Sequence, residues 1–321
     1  MRLLYLFCCL PLALSSACKT TCPAEVVDCG VIPPQAGSIE RLWNYEDPEG
    51  TRAAFEHLLV EANAQWPVGP RLELETQVAR TYSLEGKFEQ AHGLLDGVAG
   101  ELPKEPSRAR VRYDLERGRS FLSADRPNEA RPYFLEAWRL ASGLGQEFLA
   151  VDAAHMLGIL EQGAESLDWN WKAIELAESA GDPRARTWLG ALYNNTGWTC
   201  HDNGDYEKAM DLWQRAATWH ARYGSPQSER IARWTVARGF RSLGKPAQAL
   251  EILQGLATET EDPAETGYIH EELAENLLLL KRAEEARPHF QAAAEILAQD
   301  RWLVDHEPER LKRLAELGAA E

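Results

Sequence analysis

The chain has 321 residues, 45% of them hydrophobic, and a formal charge of −16 at neutral pH. That length supports a full globular or repeat core. The acid excess argues against an unspecific hold on nucleic acid or anionic lipid, since both need net positive surface.

Residues 1–17 stand apart. After Arg2, Leu3 to Leu14 is almost wholly apolar. Such a stretch is too short to span a bilayer as a mature helix and reads as a secretory signal peptide. Ser15, Ser16 and Ala17 then lead to Cys18. The run Leu14-Ser15-Ser16-Ala17-Cys18 resembles a bacterial lipobox, with Ser15 where leucine is typical. The resemblance implies cleavage before Cys18, lipidation of its sulfur, and an outer-membrane address, because Lys19 and no aspartate follows. A soluble periplasmic or secreted product, or a cytoplasmic protein whose true start lies after Met1, are the other readings. Residues 18–38, with Pro23, Gly30, Pro33, Pro34 and Gly37, form an expected flexible tether. Within it, Cys22 and Cys29 can close a disulfide in an oxidising compartment.

From residue 39 the pattern is helical, with no run of alternating β-branched residues. Apolar residues recur three and four apart, as in Ala130, Phe134, Ala137 and Trp138. The spacing predicts fourteen helices, at 51–62, 71–85, 87–98, 107–122, 126–141, 145–161, 166–179, 184–202, 205–221, 227–242, 246–258, 264–280, 282–298 and 306–317. Short turns between them, such as Gly86-Lys87, Gly204-Asp205 and Gly244-Lys245-Pro246, join antiparallel helices. Pro127 and Pro246 fall in a first helical turn, where a missing N–H costs nothing. The last helix, with Glu307, Glu309, Arg310, Lys312 and Arg313, has the charged outer face of a cap; residues 39–300 are the repeat domain and 301–321 its end cap. Cys200, alone on an amphipathic helix, reads as a small buried apolar residue.

A phrase recurs along this helical region. Its best copy is Tyr193 to Ala216, built around Gly204-Asp205-Tyr206-Glu207-Lys208-Ala209. An alanine follows the turn at Ala91, Ala130, Ala209, Ala249 and Ala286, at intervals of 39, 79, 40 and 37 residues. A period of this size marks stacked units that bury their cores against neighbours.

The copies resemble the tetratricopeptide repeat, a helix–turn–helix of 34 residues. Tyr193, Gly197, Tyr206, Ala209, Trp213 and Ala216 match its signature. So do Ala79, Tyr82, Phe88, Ala91 and Leu95, then Gly118, Phe121, Ala130, Phe134 and Ala137. Further copies hold Ala237, Phe240, Ala249 and Leu253, then Ala274, Leu277, Ala286 and Phe290. In the copy at 147–180, Ser166 replaces the alanine. The resemblance implies an all-α, right-handed α-solenoid of about six to seven repeats. It also implies a concave groove lined by the first helix of each pair. The ninth repeat position gives Arg80, Arg119, His155, Trp198, Arg238 and Glu275; neighbouring positions add Arg112, Asn194, His201, Trp234 and Arg241. Guanidinium forks hold carboxylates and indoles give large contact area. The implied partner is therefore an extended peptide or protein segment with acidic groups or a free C-terminus, with Asn194 holding its backbone. The same residues also admit a structural reading, in which arginine stems cover apolar surface and their heads pair with Asp or Glu.

No phosphate loop, G-x-S-x-G elbow or metal-ligand cluster is present. His270-Glu271 opens like a zinc helix, but Ala274 stands where the second histidine is required. Glu271, Glu272 and Glu275 read as a solvated face. The expectation is a non-catalytic scaffold of the bacterial cell envelope with no cofactor or metal, touching the membrane only through its lipid. The alternatives are a cytosolic scaffold, an accessory subunit of a periplasmic enzyme, or an enzyme using His155, Asn194 and His201.

Overall fold

The small residue after each turn sets the architecture. Ala91, Ala130, Ala209, Ala249 and Ala286 are at most 1% exposed, so each lies where two helices come closest. In the computed structural model, which describes residues 39–62 and 66–319, these alanines open the second helix of successive antiparallel pairs. The signal, the tether and Cys18, Cys22 and Cys29 lie outside the described residues.

Fifteen α-helices occur among the described residues and no strand. The chain divides into two compact units, 39–192 and 193–319. The first begins with a short 3-10 turn, Ile39–Leu42, then α1 (Pro48–Ala62), α2 (Val68–Leu84), α3 (Phe88–Glu101), α4 (Arg108–Ser123), α5 (Pro127–Gly143), α6 (Glu147–Leu160) and α7 (Gly163–Ser179). Helices α2 and α3, α4 and α5, and α6 and α7 pack as hairpins. Ile39, Trp43, Phe55 and Trp66 bury against Leu74 and Val78 of α2, so α1 closes the start of this stack.

The second unit takes most of α8 (Leu189–Asp202), then α9 (Tyr206–Tyr223), α10 (Pro226–Ser242), α11 (Pro246–Leu256), α12 (Pro263–Leu279), α13 (Ala283–Leu297), α14 (Arg301–His306) and α15 (Pro308–Ala319). Helix α15 lies on α13, with Leu314 fully buried and Gly318 against the Gln291 backbone. Each unit is a stack of helix hairpins, the all-α, solenoid-type architecture expected of tetratricopeptide repeats.

All fourteen expected helices form, their ends displaced by at most five residues. Two details differ. The helix expected from residue 184 starts at Leu189, after a 3-10 turn at Ala185–Trp188; Arg184 folds back onto Asp182 at 2.6 Å and tightens the chain there. Helix α14, within the expected end cap, has no counterpart among the fourteen predicted spans. Asp300 caps it by accepting from the Trp302 N–H at 2.9 Å, and Leu303 is fully buried beneath it.

Six of the turns share one closing geometry, from which the extended Glu161 turn between α6 and α7 departs. Gly86, Asp125, Gly145, Gly204, Gly244 and Lys281 all have φ between 58° and 81°. The next residue's N–H then reaches back into the helix, as Asp205 does to the Cys200 carbonyl at 2.9 Å. This is the left-handed helix ending that glycine adopts most cheaply.

Ser166, the departure from the repeat, is buried, and its hydroxyl donates to the Gly158 carbonyl at 2.6 Å. The hydrogen bond offsets the burial of a polar atom in place of a methyl group.

Close approach is strictest at Gly197. A Cβ there would meet Trp213 Nε1 at 2.5 Å, and that indole is fully buried while donating to the Asn194 carbonyl at 3.2 Å. Gly197→Ala should therefore destabilise the chain by about 1–3 kcal/mol through overpacking. Urea unfolding followed by circular dichroism measures it; an unchanged midpoint would show that the hairpin relaxes freely.

Candidate functional site

The two units are taken in turn. In 39–192, the anticipated groove residues form an internal ion-pair network. Arg80 lies 3.5 Å from Glu116, and its guanidinium stacks over Trp43 and Tyr45 at 5.5 and 5.3 Å. Arg119 donates to Glu116 at 2.8 Å and also binds Asp152. Gln77 adds a bond to Glu116 at 3.1 Å and accepts from Trp43 Nε1 at 3.0 Å. Glu116 and Asp152 are buried, and the two carboxylates hold the Arg119 pKa above its usual value despite burial. Arg112 is buried with its guanidinium 5.8 Å over the Phe148 ring.

His155 is buried 5.3 Å from the Trp188 ring. Burial lowers its pKa to about 4, with Asp152 opposing and Arg119 adding to the shift, so it is neutral at pH 7. The unit thus follows the structural reading of these residues: arginine heads meet acids of the next repeat, and no guanidinium of Arg80 or Arg119 is left open to a ligand.

In 193–319 the face of the first helices is different. Trp198 of α8 lies 6.4 Å from Trp234 of α10, and Trp234 lies 6.2 Å from Tyr268 of α12. Three helices are therefore linked by aromatic contacts, with Trp213 of α9 behind Trp198 at 4.8 Å. Trp234 Nε1 donates to the Tyr268 carbonyl at 3.2 Å, which fixes its ring. Burial raises the Tyr268 pKa to about 12.

His201 sits at the end of this row. Its Nε2 lies 2.9 Å from Ser242 Oγ, and Nδ1 is 3.5 Å from Asp202. Ser242 Oγ also reaches the Arg238 carbonyl at 3.2 Å, so the serine hydroxyl bridges His201 and the α10 backbone. Asn194 is buried, donating to Asn195 Oδ1 at 3.2 Å. Its amide faces inward, so it does not hold a peptide backbone laid on the surface. Cys200 is buried, and burial pushes its thiol pKa up.

The arginines and acids of this unit correct one expectation. Glu271, Glu272 and Glu275 do not form a solvated face. Glu272 takes a two-pronged bond from Arg241, at 2.5 and 3.0 Å. Glu271 takes one from Arg310 of α15 at 2.5 and 2.8 Å, and Glu275 pairs with Arg313. Further along, Arg230 forks Glu265 at 2.6 and 2.8 Å. Arg238 is the exception among the arginines of α10 and α15. Among the described residues no carboxylate lies within ion-pair distance of it and no hydrogen bond holds its guanidinium. Partial burial depresses its pKa, with Glu272 the main opposing charge.

Beside Trp234 opens a cavity of about 360 Å³, walled mostly by Ile231, Trp234, Ala264, Tyr268, Ile296 and Leu297. The Arg230–Glu265 pair borders it. Sequence reasoning placed Trp234 here but missed Ile231 and Tyr268. The signal was the spacing of Gln227, Arg230, Ile231 and Trp234, which puts one face of α10 toward α12. Among the described residues no group of three or more His, Cys, Asp or Glu side chains is gathered as metal ligands require, and no helix is long and apolar enough to cross a membrane.

No sequence-family description matches the chain, and no characterised protein matches it by sequence. Solved structures do match in fold. The apo form of the quorum sensor NprR from B. thuringiensis aligns at TM-score 0.61 and 16% identity, over 86% of this chain and 79% of its own. The STAND ATPase with a tetratricopeptide repeat sensor from Pyrococcus horikoshii aligns at 0.57 and 15% identity, over 84% of this chain but 45% of its own. The APC/C hetero-tetramer Cut9–Hcn1 aligns at 0.57 and 15%, over 89% and 50% respectively. The chain thus spans about half the length of the last two. At these identities the likeness establishes a tetratricopeptide-type fold.

Glu116 is the centre of the first unit's network. Glu116→Ala leaves Arg80 without its carboxylate and Arg119 with one where it had two. A buried charge stripped of its partner costs about 3–5 kcal/mol. Chemical denaturation should show a loss of this order, whereas a change below about 1 kcal/mol, the scale of an exposed pair, would mean that water replaces the carboxylate.

Proposed function

We propose that this protein is a non-catalytic interaction scaffold that captures a partner protein or peptide on the first-helix face of residues 193–319. The observation that carries the reading is the apolar cavity opening beside the aromatic row of Trp198, Trp234 and Tyr268. A concave, mostly apolar site with a few placed polar groups is the usual form of a recognition site. The fold neighbours include a quorum sensor, a repeat sensor and a member of a hetero-tetramer, which is in keeping with recognition. The polar networks are in keeping with the same reading: Glu116, Asp152, Glu271, Glu272 and Glu275 are each held by arginines of the fold.

We place the scaffold in the bacterial cell envelope. Export through the signal at 1–17 and lipidation at Cys18 would hold it on the outer membrane, with 18–38 as tether and the repeat region facing the periplasm. Two acyl chains or more make such an anchor stable, since each buried CH2 contributes about 0.8 kcal/mol.

Two experiments test this. Capture from the source envelope with the full chain, followed by titration of the purified partner, should give saturable and reversible binding that Arg238→Ala weakens, with the partner's mass unchanged. A partner recovered with altered covalent mass, or no saturable partner, would overturn the scaffold reading. Intact mass of the purified protein should show a chain beginning at lipidated Cys18; a retained Met1 would remove export from the account.

A further inference from the structure

Resting on the scaffold reading, we propose that the partner segment presents two adjacent features: a bulky apolar side chain that enters the cavity beside Trp234, and a carboxylate that pairs with Arg238. The first half follows from the cavity. About 360 Å³ walled by Ile231, Trp234, Tyr268, Ile296 and Leu297 is near the small end of ligand sites and suits one large side chain.

The second half follows from charge. The chain carries −16 overall, and the arginines on the faces of α10 and α15 pair with acids: Arg230 with Glu265, Arg233 with Glu259, Arg241 with Glu272, Arg310 with Glu271 and Arg313 with Glu275. Arg238 sits among them without a partner, partly desolvated. A half-buried guanidinium is costly unless an anion meets it. The neighbouring acids do not fill that role, because Glu272 is held by Arg241 and Glu271 and Glu275 by α15. A ligand carboxylate would fit a planar fork with two hydrogen bonds.

Trp234 and Arg238 are one helical turn apart on α10, so their Cβ atoms are about 6 Å from each other. Two sources of carboxylate match that separation. A C-terminal residue carries its own carboxylate about this far from its side chain. In an extended segment, an acidic residue two positions on lies about 7 Å away on the same side.

Three fluorescein-labelled peptides separate these possibilities by fluorescence anisotropy on the full chain: Gly-Ser-Gly-Ser-Phe with a free C-terminus, the same peptide as its amide, and Gly-Ser-Phe-Gly-Glu as an amide. At least one acid peptide should bind about ten-fold or more tighter than the neutral amide, the scale of a charge-assisted pair. Tighter binding of the free acid assigns a C-terminus, and tighter binding of the Glu peptide assigns an internal acid. Arg238→Gln should erase the preference for acid. Ala264→Trp, at an exposed cavity position, should abolish binding of all three, with helix content unchanged by circular dichroism. Equal binding of acid and amide, a preference that survives Arg238→Gln, or no binding of any peptide overturns the inference. If no peptide binds while the captured partner still does, the occupant's chemistry is wrong and the scaffold stands; if capture yields no partner, the scaffold reading falls by itself.

Discussion

Helix pairs in this protein pack closest where the first helix carries glycine or alanine. Gly118 faces Phe134, and a Cβ on the glycine would lie 2.6 Å from that ring; Gly197 faces Trp213 in the same way. The alanines on the second helices complete the contact from the other side. The large residue fills the volume that the small one leaves, so a hairpin is defined by a pair of positions about sixteen residues apart. Interiors are close-packed, and such complementary contacts fix one arrangement where helical propensity alone would allow many. Every other feature inherits this spacing, because the first helices of adjacent repeats are thereby set side by side with their polar faces in reach.

The second constraint acts between repeats. Arg108 to Glu73, Arg119 to Asp152, Arg230 to Glu265 and Arg310 to Glu271 each join first helices, or the cap, across 33 to 39 residues. These pairs are mostly half-buried, and several are two-pronged. Their net contribution to stability is modest, because desolvation offsets attraction. Their effect on register is larger: a slip of one helical turn would leave several buried charges unmatched at once. The acid of one repeat and the arginine of another thus act as keys between neighbours.

The helices were legible because their pattern is local. An amphipathic stripe, a turn glycine and a proline at a first turn all lie within a few residues of one another. Helix α14 was not legible, since six residues are too few to show a period and its only marks are the Asp300 cap and Leu303. The site was legible in position but not in role. Arg80, Arg119, Trp234 and Arg238 could be placed on first helices from the repeat register. Whether each head meets an acid depends on residues some 35 positions away, and one-dimensional spacing does not show them. The same gap explains Glu271, Glu272 and Glu275. Read alone they are a polar stripe, and only α10 and α15 supply the arginines that bind them.

A face of paired charges has a consequence for recognition. Side chains already held by ion pairs lose little further freedom when a partner arrives, so less of the contact energy is lost to ordering. The excess negative charge acts in the opposite sense at longer range, repelling an acidic segment out to about one Debye length, which is about 8 Å at physiological salt and longer at low salt. Attraction at Arg238 operates only inside that distance, once water has been displaced from beside Trp234. Salt then has two effects: it screens the long-range repulsion and, more weakly, the short and partly buried pair. Association of an acidic partner with such a face is slow at low ionic strength and gains from moderate salt. A basic surface would reverse that dependence, so the sign of the salt effect distinguishes recognition at one unpaired arginine from capture by overall charge.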